Sequence, residues 1–178
     1  LVVQGRRLDL PVVVICFEPL PREFFAPDEA PARLMTFREK WQALEACGVD
    51  RVVQIRFNEA FSNVSAGAFV RSVLVEGLGI KYVVVGDDLR FGAGRQGDAQ
   101  SLSRAGEQYG FEVVDTPSVL VDGERVSSSR IRDELAVADF SMAQRLLGRP
   151  FSLSGRVCYG RQLGRTLGVP TANVELLR

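Results

Sequence analysis

Short β-branched apolar runs alternate with longer amphipathic stretches from Pro11 to about Asp115. "VVVICF" (Val12 to Phe17) has the composition of a strand buried on both faces. "TFREKWQALEACG" follows as a helix, with Thr36 and Glu39 spaced as a capping box and Gly48 as its stop. "RVVQIRF" predicts a second strand, and "SAGAFVRSVLVEGLG" predicts a helix from Ser65 to about Leu78. "KYVVVG" is a third strand, "DAQSLSRAGEQYG" a helix closed by Gly110, and "FEVVD" a fourth strand. Strands alternating with helices of this length predict an α/β domain with right-handed crossovers and a parallel sheet.

The pattern changes after Asp115. "SVLVDGERVS" predicts a hairpin turning at Asp122-Gly123. A helix containing Arg130 to Ala138 and a shorter one from Ser141 to Leu147 follow, and "LGRP" (Leu147 to Pro150) reads as a linker. Beyond it, strands and glycines alternate without helical period, as at the start of a β domain. The remaining residues are too few to close a barrel or sandwich.

Composition narrows the class. Lys plus Arg equal Asp plus Glu at 22 each, so no overall charge favours nucleic acid or a membrane surface. No apolar run approaches ~18 residues, and the opening stretch has internal charges and no cleavage-site pattern. Cys16, Cys47 and Cys158 are odd in number and far apart, which points to thiols in a reducing compartment, with the cytoplasm as default. The chain contains no histidine, so an enzyme built from these residues would use carboxylates, Lys, Arg, hydroxyls or metal. Nothing in the pattern reports the oligomeric state.

Three stretches carry candidate chemistry. In "VVVGDDLRFGAGRQGD" (Val83 to Asp98) a strand ends at Gly86 and a loop of acids, Arg90, Phe91 and glycines follows. Ligands of parallel sheets bind outside such strand ends. Gly92, Gly94 and Gly97 match a dinucleotide fingerprint, but "DDLRF" displaces them from the strand end. A ligand loop using Asp88, Arg90 and Phe91 is favoured over that reading and over a solvated loop. In "RVSSSRIRDEL" (Arg125 to Leu135) Ser127 or Ser128 can cap a helix whose start carries Arg130 and Arg132. Cations there oppose the helix dipole by ~0.3–1 kcal/mol each, unless an anion binds at the helix start. Phosphate binding is favoured over plain capping. In "GRVCYGRQLGRTLGVPTAN" (Gly155 to Asn173) a basic glycine-rich loop precedes Thr171 and Asn173, whose oxygens suit a hard cation such as Mg²⁺. An anion-binding loop and an ordinary hairpin stand as equal alternatives.

Together, "FEPLPREFFAP", "VVVGDDLRFGAGRQGD", "RVSSSRIR", "LLGRP" and "GRQLGRTLGVPTAN" resemble one family in its own order: the bacterial bifunctional riboflavin kinase/FMN adenylyltransferases, or FAD synthetases. The resemblance implies a Rossmann-like nucleotidyltransferase domain over residues 1–147, followed by the start of a riboflavin kinase β-barrel over 148–178. It implies adenylyl transfer from ATP to FMN, giving FAD and pyrophosphate, with riboflavin phosphorylation in the intact protein. By this resemblance Ser128, Ser129 and Arg132 contact ATP phosphates, with Ser129 where members usually carry Thr. Gly86, Asp88 and Arg90 lie by the nucleotide, and Phe24, Phe25 and Phe91 border the flavin. Leu89 replaces a usual aromatic residue, and Leu20 stands where many members carry His. Gly160, Gly164 and Pro170 belong to the kinase nucleotide loop, and Thr171 and Asn173 to Mg-ATP binding.

The family's H-x-G-H signature, placed upstream of the segment beginning here, is missing, as is the kinase's catalytic glutamate. The resemblance therefore implies a fragment lacking the N-terminal histidine segment and most of the barrel, incomplete for both reactions. Two rival functions remain: a non-catalytic flavin- or nucleotide-binding regulator, and an adenylyltransferase for another phosphate acceptor. A nucleic-acid role has no motif to support it.

Overall fold

The computed structural model describes residues 1–86, 88–160, 168–169 and 171–176. Helices and strands alternate through the first two thirds of the chain. They are α1 (Val2–Arg7), β1 (Val13–Glu18), α2 (Pro21–Phe25), α3 (Phe37–Ala46), β2 (Arg51–Arg56), α4 (Glu59–Ser62), α5 (Ala66–Phe69) and β3 (Tyr82–Val85). Then come α6 (Ala99–Tyr109), β4 (Glu112–Asp115), the short strands β5 (Leu120–Val121) and β6 (Glu124–Arg125), α7 (Ser128–Ala136) and α8 (Phe140–Leu147). Strands β7 (Arg156–Cys158) and β8 (Asn173–Glu175) complete the described elements.

The expected α/β character and parallel pairing are present. β1 pairs with β2 in parallel, Val13 opposite Arg51 and Glu18 opposite Arg56. β3 pairs with β4 in parallel, Tyr82 opposite Glu112 and Val85 opposite Asp115. Among the described residues these are two separate pairs, not one continuous four-stranded ladder. The helix expected from Ser65 to Leu78 starts as α5, capped by the Ser65 hydroxyl, and continues as a π-helix over Val70–Gly77.

Two compact units divide the chain: Leu1–Ala30 with Asp50–Val119, and Pro31–Val49 with Leu120–Arg178. In the first unit Val70, Leu74, Val85, Leu102 and Phe111 form the core, and Ile15 and Val83 pack against it. Leu102 is only 2% exposed, the consequence of α6 turning its apolar stripe inward. α6 starts where Asp98 accepts from the Ser101 N–H, and Gly110 closes it at φ 77°, as its sequence predicts.

In the second unit the capping box of α3 is formed. Thr36 Oγ1 accepts from the Glu39 N–H at 3.3 Å, and Glu39 accepts from the Thr36 N–H at 2.6 Å. Glu39 also accepts from the Ser154 N–H at 2.8 Å. Desolvation pushes the Glu39 carboxyl up, but the hydrogen bonds from Thr36 and Ser154 outweigh it and hold it at about 2. The hairpin β5–β6 turns at Asp122 and Gly123, both left-handed (φ 57° and 82°), as a tight I′ turn requires. Asp122 is tied to α8 by Arg145 at 2.7 Å. α7 and α8 pack together, with Ile131, Ala143 and Leu146 buried.

One polar junction sets the start of both β1 and β2. The Arg6 guanidinium donates to both Asp50 carboxylate oxygens at 2.7 and 2.8 Å, and the Val12 N–H donates to Asp50 Oδ2 at 2.7 Å. The backbone N–H groups of Asp50 and Arg51 in turn donate to the Val12 carbonyl. The Arg6 hydrogen bond first, then the Val12 N–H, hold the Asp50 carboxyl down to about 2, against desolvation. A folded-state value below the ordinary one, near 4, stabilises the fold above pH ~4, and that contribution is lost as pH falls from ~4 to ~2. Asp50→Asn should therefore melt below the parent at pH 7, with the gap closing as pH drops through that window. Thermal midpoints measured from pH 7 to 2 check this; a gap independent of pH would refute the role of the charge.

Candidate functional site

Parallel pairing puts the carboxyl ends of β1 and β2 side by side, the usual ligand-binding end of an α/β sheet. Phe17 lies near the end of β1 and Phe57 follows β2 directly, with ring centroids 5.9 Å apart. Phe61, on α4, packs against both at 5.7 Å, and Phe69, on α5, continues the row at 6.2 Å from Phe61. Phe91, in the loop after β3, closes it at 5.7 Å from Phe69. From the other side Phe24 and Phe25 on α2 reach Phe57 at 5.4 and 5.7 Å.

These rings wall a cavity of about 610 Å³, within the ordinary size of a small-molecule site. Phe17, Phe25, Phe57, Phe61, Phe69 and Phe91 line it, and Phe25 is 67% exposed beside it. Arg22, Arg90 and Arg95 stand in the same wall, with Glu29 as its carboxylate. Such a lining suits a flat aromatic group carrying an anion.

Of the residues expected near flavin, Phe25 and Phe91 line the cavity, whereas Phe24 supports it from behind by packing on Phe25 and Phe57. Arg90 lines it too, its guanidinium donating to the Leu89 carbonyl at 2.8 Å. Gly86 and Asp88 sit at the turn leaving β3, where the Leu89 N–H donates to the Gly86 carbonyl. Phe17, Phe57, Phe61, Phe69, Arg22 and Arg95 are additional wall residues. For Phe17 and Phe57 a signal was available, since each ends a predicted strand.

The loop glycines have steric reasons. Phe91 and Gly97 pair as a bridge, and a Cβ on Gly97 would lie 2.7 Å from the Phe91 ring. Gly92 has φ 74°, and a Cβ there would meet the Ala66 backbone at 2.5–2.6 Å. The helix following the loop starts with an acid, Asp98, as its cap. A dinucleotide pyrophosphate at that helix start would face this carboxylate, which argues against the fingerprint reading.

In the second unit Ser127, not Ser128, caps α7, its hydroxyl accepting from the Arg130 N–H at 3.2 Å. Arg130 is the third helical residue and Arg132 the fifth, so only Arg130 lies in the first turn. Arg130 is 16% exposed; it donates to the Val121 and Glu124 carbonyls and pairs with Glu124 at 3.3 Å. Its position is accounted for by the hairpin. Arg132 donates through Nε to the Ala32 carbonyl at 2.6 Å, and Ser128 and Ser129 are exposed on the first turn.

In the C-terminal hairpin Asn173 stands opposite Cys158. A side chain on Gly160 would strike the Asn173 amide, so glycine permits that close approach. Asn173 and Glu175 share one face of β8, and Thr171 precedes them. Gly164 and Pro170 lie outside the described residues.

These features define an α/β protein of Rossmann-like fold. Its sequence matches the FAD synthetase family model over residues 1–130 and the riboflavin kinase family model over residues 147–178. The chain belongs to the FAD synthetase family. It is 49% identical over 175 residues to the bifunctional riboflavin kinase/FMN adenylyltransferase of Escherichia coli (strain K12), covering 98% of this chain and 56% of the relative. It is 50% identical over 171 residues to the protein of the same name from Pseudomonas fluorescens, covering 96% of this chain and 55% of that one. The chain thus spans about half the length of the curated relatives it matches. A crystal structure titled as a macrolide-efflux protein from Streptococcus pneumoniae superposes with TM-score 0.79 at 28% identity, over 99% of this chain and 57% of that one.

The two loop glycines differ in what surrounds them. Gly92→Ala should destabilise the fold by about 1–3 kcal/mol or more, since strain and collision add. Gly94→Ala, with φ 61° and only Gln96 at 3.8 Å, should cost less. Urea midpoints of the two variants decide; equal losses would refute the close approach to Ala66.

Proposed function

We propose that this chain carries the FMN adenylyltransferase part of a FAD synthetase, over residues 1–147, followed over 148–178 by the beginning of its riboflavin kinase domain. The observation that carries the reading is the phenylalanine-walled cavity with its arginines at the strand ends. A planar isoalloxazine fits between such rings, and an arginine-rich wall suits its phosphate. Family membership supplies the reaction: an oxygen of the FMN phosphate attacks the α-phosphorus of ATP, the bond to pyrophosphate breaks, and FAD and pyrophosphate leave. Phosphoryl chemistry of this kind needs alignment and charge neutralisation more than covalent help from the protein.

In this reading Phe25 and Phe91 hold the flavin, Phe24 braces Phe25, and Gly86, Asp88 and Arg90 border the nucleotide. Ser128 and Ser129 donate hydroxyls, and Arg132 its terminal guanidinium N–H groups, to the ATP phosphates. Arg130 serves the hairpin and is left out of the site. The kinase part would hold Mg-ATP through Thr171 and Asn173, with Gly160, Gly164 and Pro170 as its further expected nucleotide residues. An all-oxygen donor set, with Glu175 on the same face as Asn173, fits a hard cation. Mg²⁺ would supply charge neutralisation on the phosphates. The substrates are small molecules, and the setting is cytoplasmic. Among the described residues no helix is long and apolar enough to cross a membrane.

Calorimetric titration of the chain with FMN tests the cavity: saturable binding is expected, weakened about tenfold or more by Phe91→Ala, in line with the loss of ~1.5 kcal/mol of aromatic contact. Binding left unchanged by that substitution would move the flavin elsewhere. In the full-length protein, Arg132→Ala should lower kcat for FAD formation about 10²-fold, the scale for removing one charge-stabilising donor. Unchanged kcat and KM for ATP would remove Arg132 from the site. FMN binding without any FAD formation by the full-length protein would favour a binding regulator.

A further inference from the structure

Riboflavin and FMN carry the same isoalloxazine, and only FMN ends in a phosphate. The aromatic walls of the strand-end cavity therefore meet both flavins alike, and discrimination between them falls to a cation that reaches the ligand's far end. Three arginines stand in that wall: Arg22, Arg90 and Arg95. Arg90 is tied to its own loop through the Leu89 carbonyl at 2.8 Å. Arg22 lies in the ordinary helical backbone of α2. Arg95 differs from both.

The loop that carries Arg95 leaves at Phe91 and returns at Gly97, whose N–H and C=O groups pair with each other at 3.0 and 2.8 Å. Between them the chain turns through three left-handed residues: Gly92 at φ 74°, Gly94 at 61° and Arg95 at 56°. Glycine fills the first two without strain. A long side chain at the third is disfavoured, because its Cβ crowds the backbone in this region. The fold gains nothing visible in return: Arg95 is exposed, and among the described residues its guanidinium has no hydrogen bond or ion pair. Strain kept where packing does not require it points to a ligand.

We infer that Arg95 selects FMN over riboflavin by pairing its guanidinium with the flavin's terminal phosphate. The inference rests on the flavin reading of the cavity and adds to it the group that tells the two flavins apart. Phe91 supplies a ring to the wall, and Arg95, four residues on in the same loop, supplies an exposed cation to it. One loop thus serves both ends of an amphipathic ligand. A guanidinium fork holds two phosphate oxygens side by side. The third oxygen stays free to attack the α-phosphorus of ATP, so the contact that selects FMN also aligns it. Riboflavin ends in a hydroxyl and offers the fork no anion.

Calorimetric titration of the 178-residue chain with FMN and, separately, with riboflavin tests this. The parent should bind FMN about tenfold to a hundredfold more tightly than riboflavin, the scale of a hydrogen bond between charged groups. Arg95→Gly keeps the left-handed turn and removes the guanidinium. It should lower FMN affinity to that of riboflavin, leave riboflavin binding unchanged, and hold or raise the thermal midpoint of the unliganded chain. Arg95→Lys, which keeps the charge without the fork, should restore part of the preference. A residue that merely supports the loop would shift both flavins together. Equal affinities in the parent, an FMN preference that survives Arg95→Gly, or a lowered midpoint would overturn the role of Arg95 and leave the cavity reading standing. Binding of neither flavin by the parent would sink the cavity reading, and this assignment with it.

Discussion

Parallel pairing of β1 with β2 is the constraint on which the aromatic site depends. Because the strands run the same way, Phe17 and Phe57 emerge at one end and meet at 5.9 Å. A shift of one residue in either strand would turn its alternating side chains to the opposite face. The register is held at the far end, where Asp50 joins the Arg6 guanidinium to the Val12 N–H and the Val12 carbonyl accepts from Asp50 and Arg51. A charged junction at the amino ends thus sets which aromatic groups face the ligand end. Phe61, Phe69 and Phe91 extend the wall from helices and a loop whose own starts are capped by Asn58, Ser65 and the Phe91–Gly97 bridge.

The two arginines near the start of α7 illustrate how one local anomaly divides into two explanations. Arg130 sits unfavourably for the helix dipole, yet its guanidinium meets two carbonyls and a carboxylate of the β5–β6 hairpin. Those contacts offset the dipole and need no ligand. Arg132 lies one turn further and uses only its Nε toward the Ala32 carbonyl among the described residues. That leaves its planar end suited to a phosphate. The distinction turns on helix phase: Ser127 is the cap, so only Arg130 falls in the first turn.

The glycine-rich loop after β3 is similarly divided. Its fingerprint-like spacing has a packing cause at two positions, Gly92 against the Ala66 backbone and Gly97 against the Phe91 ring. The latter contact seats Phe91 in the cavity wall. Glycine here shapes an aromatic wall, while the acid at Asp98 makes the next helix start a poor place for another anion.

Sequence alone determined the elements whose signals are local. The capping box of α3, the glycine stop of α6, the Asp122-Gly123 turn and the β-branched strands all follow from neighbouring residues, and the structure places them as expected. The ordered set of motifs also identified the family, because several modest signals in one order are jointly specific. Only the tertiary structure decided which rings share a cavity, since Phe17, Phe57, Phe69 and Phe91 are far apart along the chain and meet through strand register. It also separated the structural arginine from the available one, and among the described residues it showed two strand pairs in place of one continuous ladder. Strand order and edge pairing are properties of non-local backbone hydrogen bonds, which leave no periodic trace in the residues that form them.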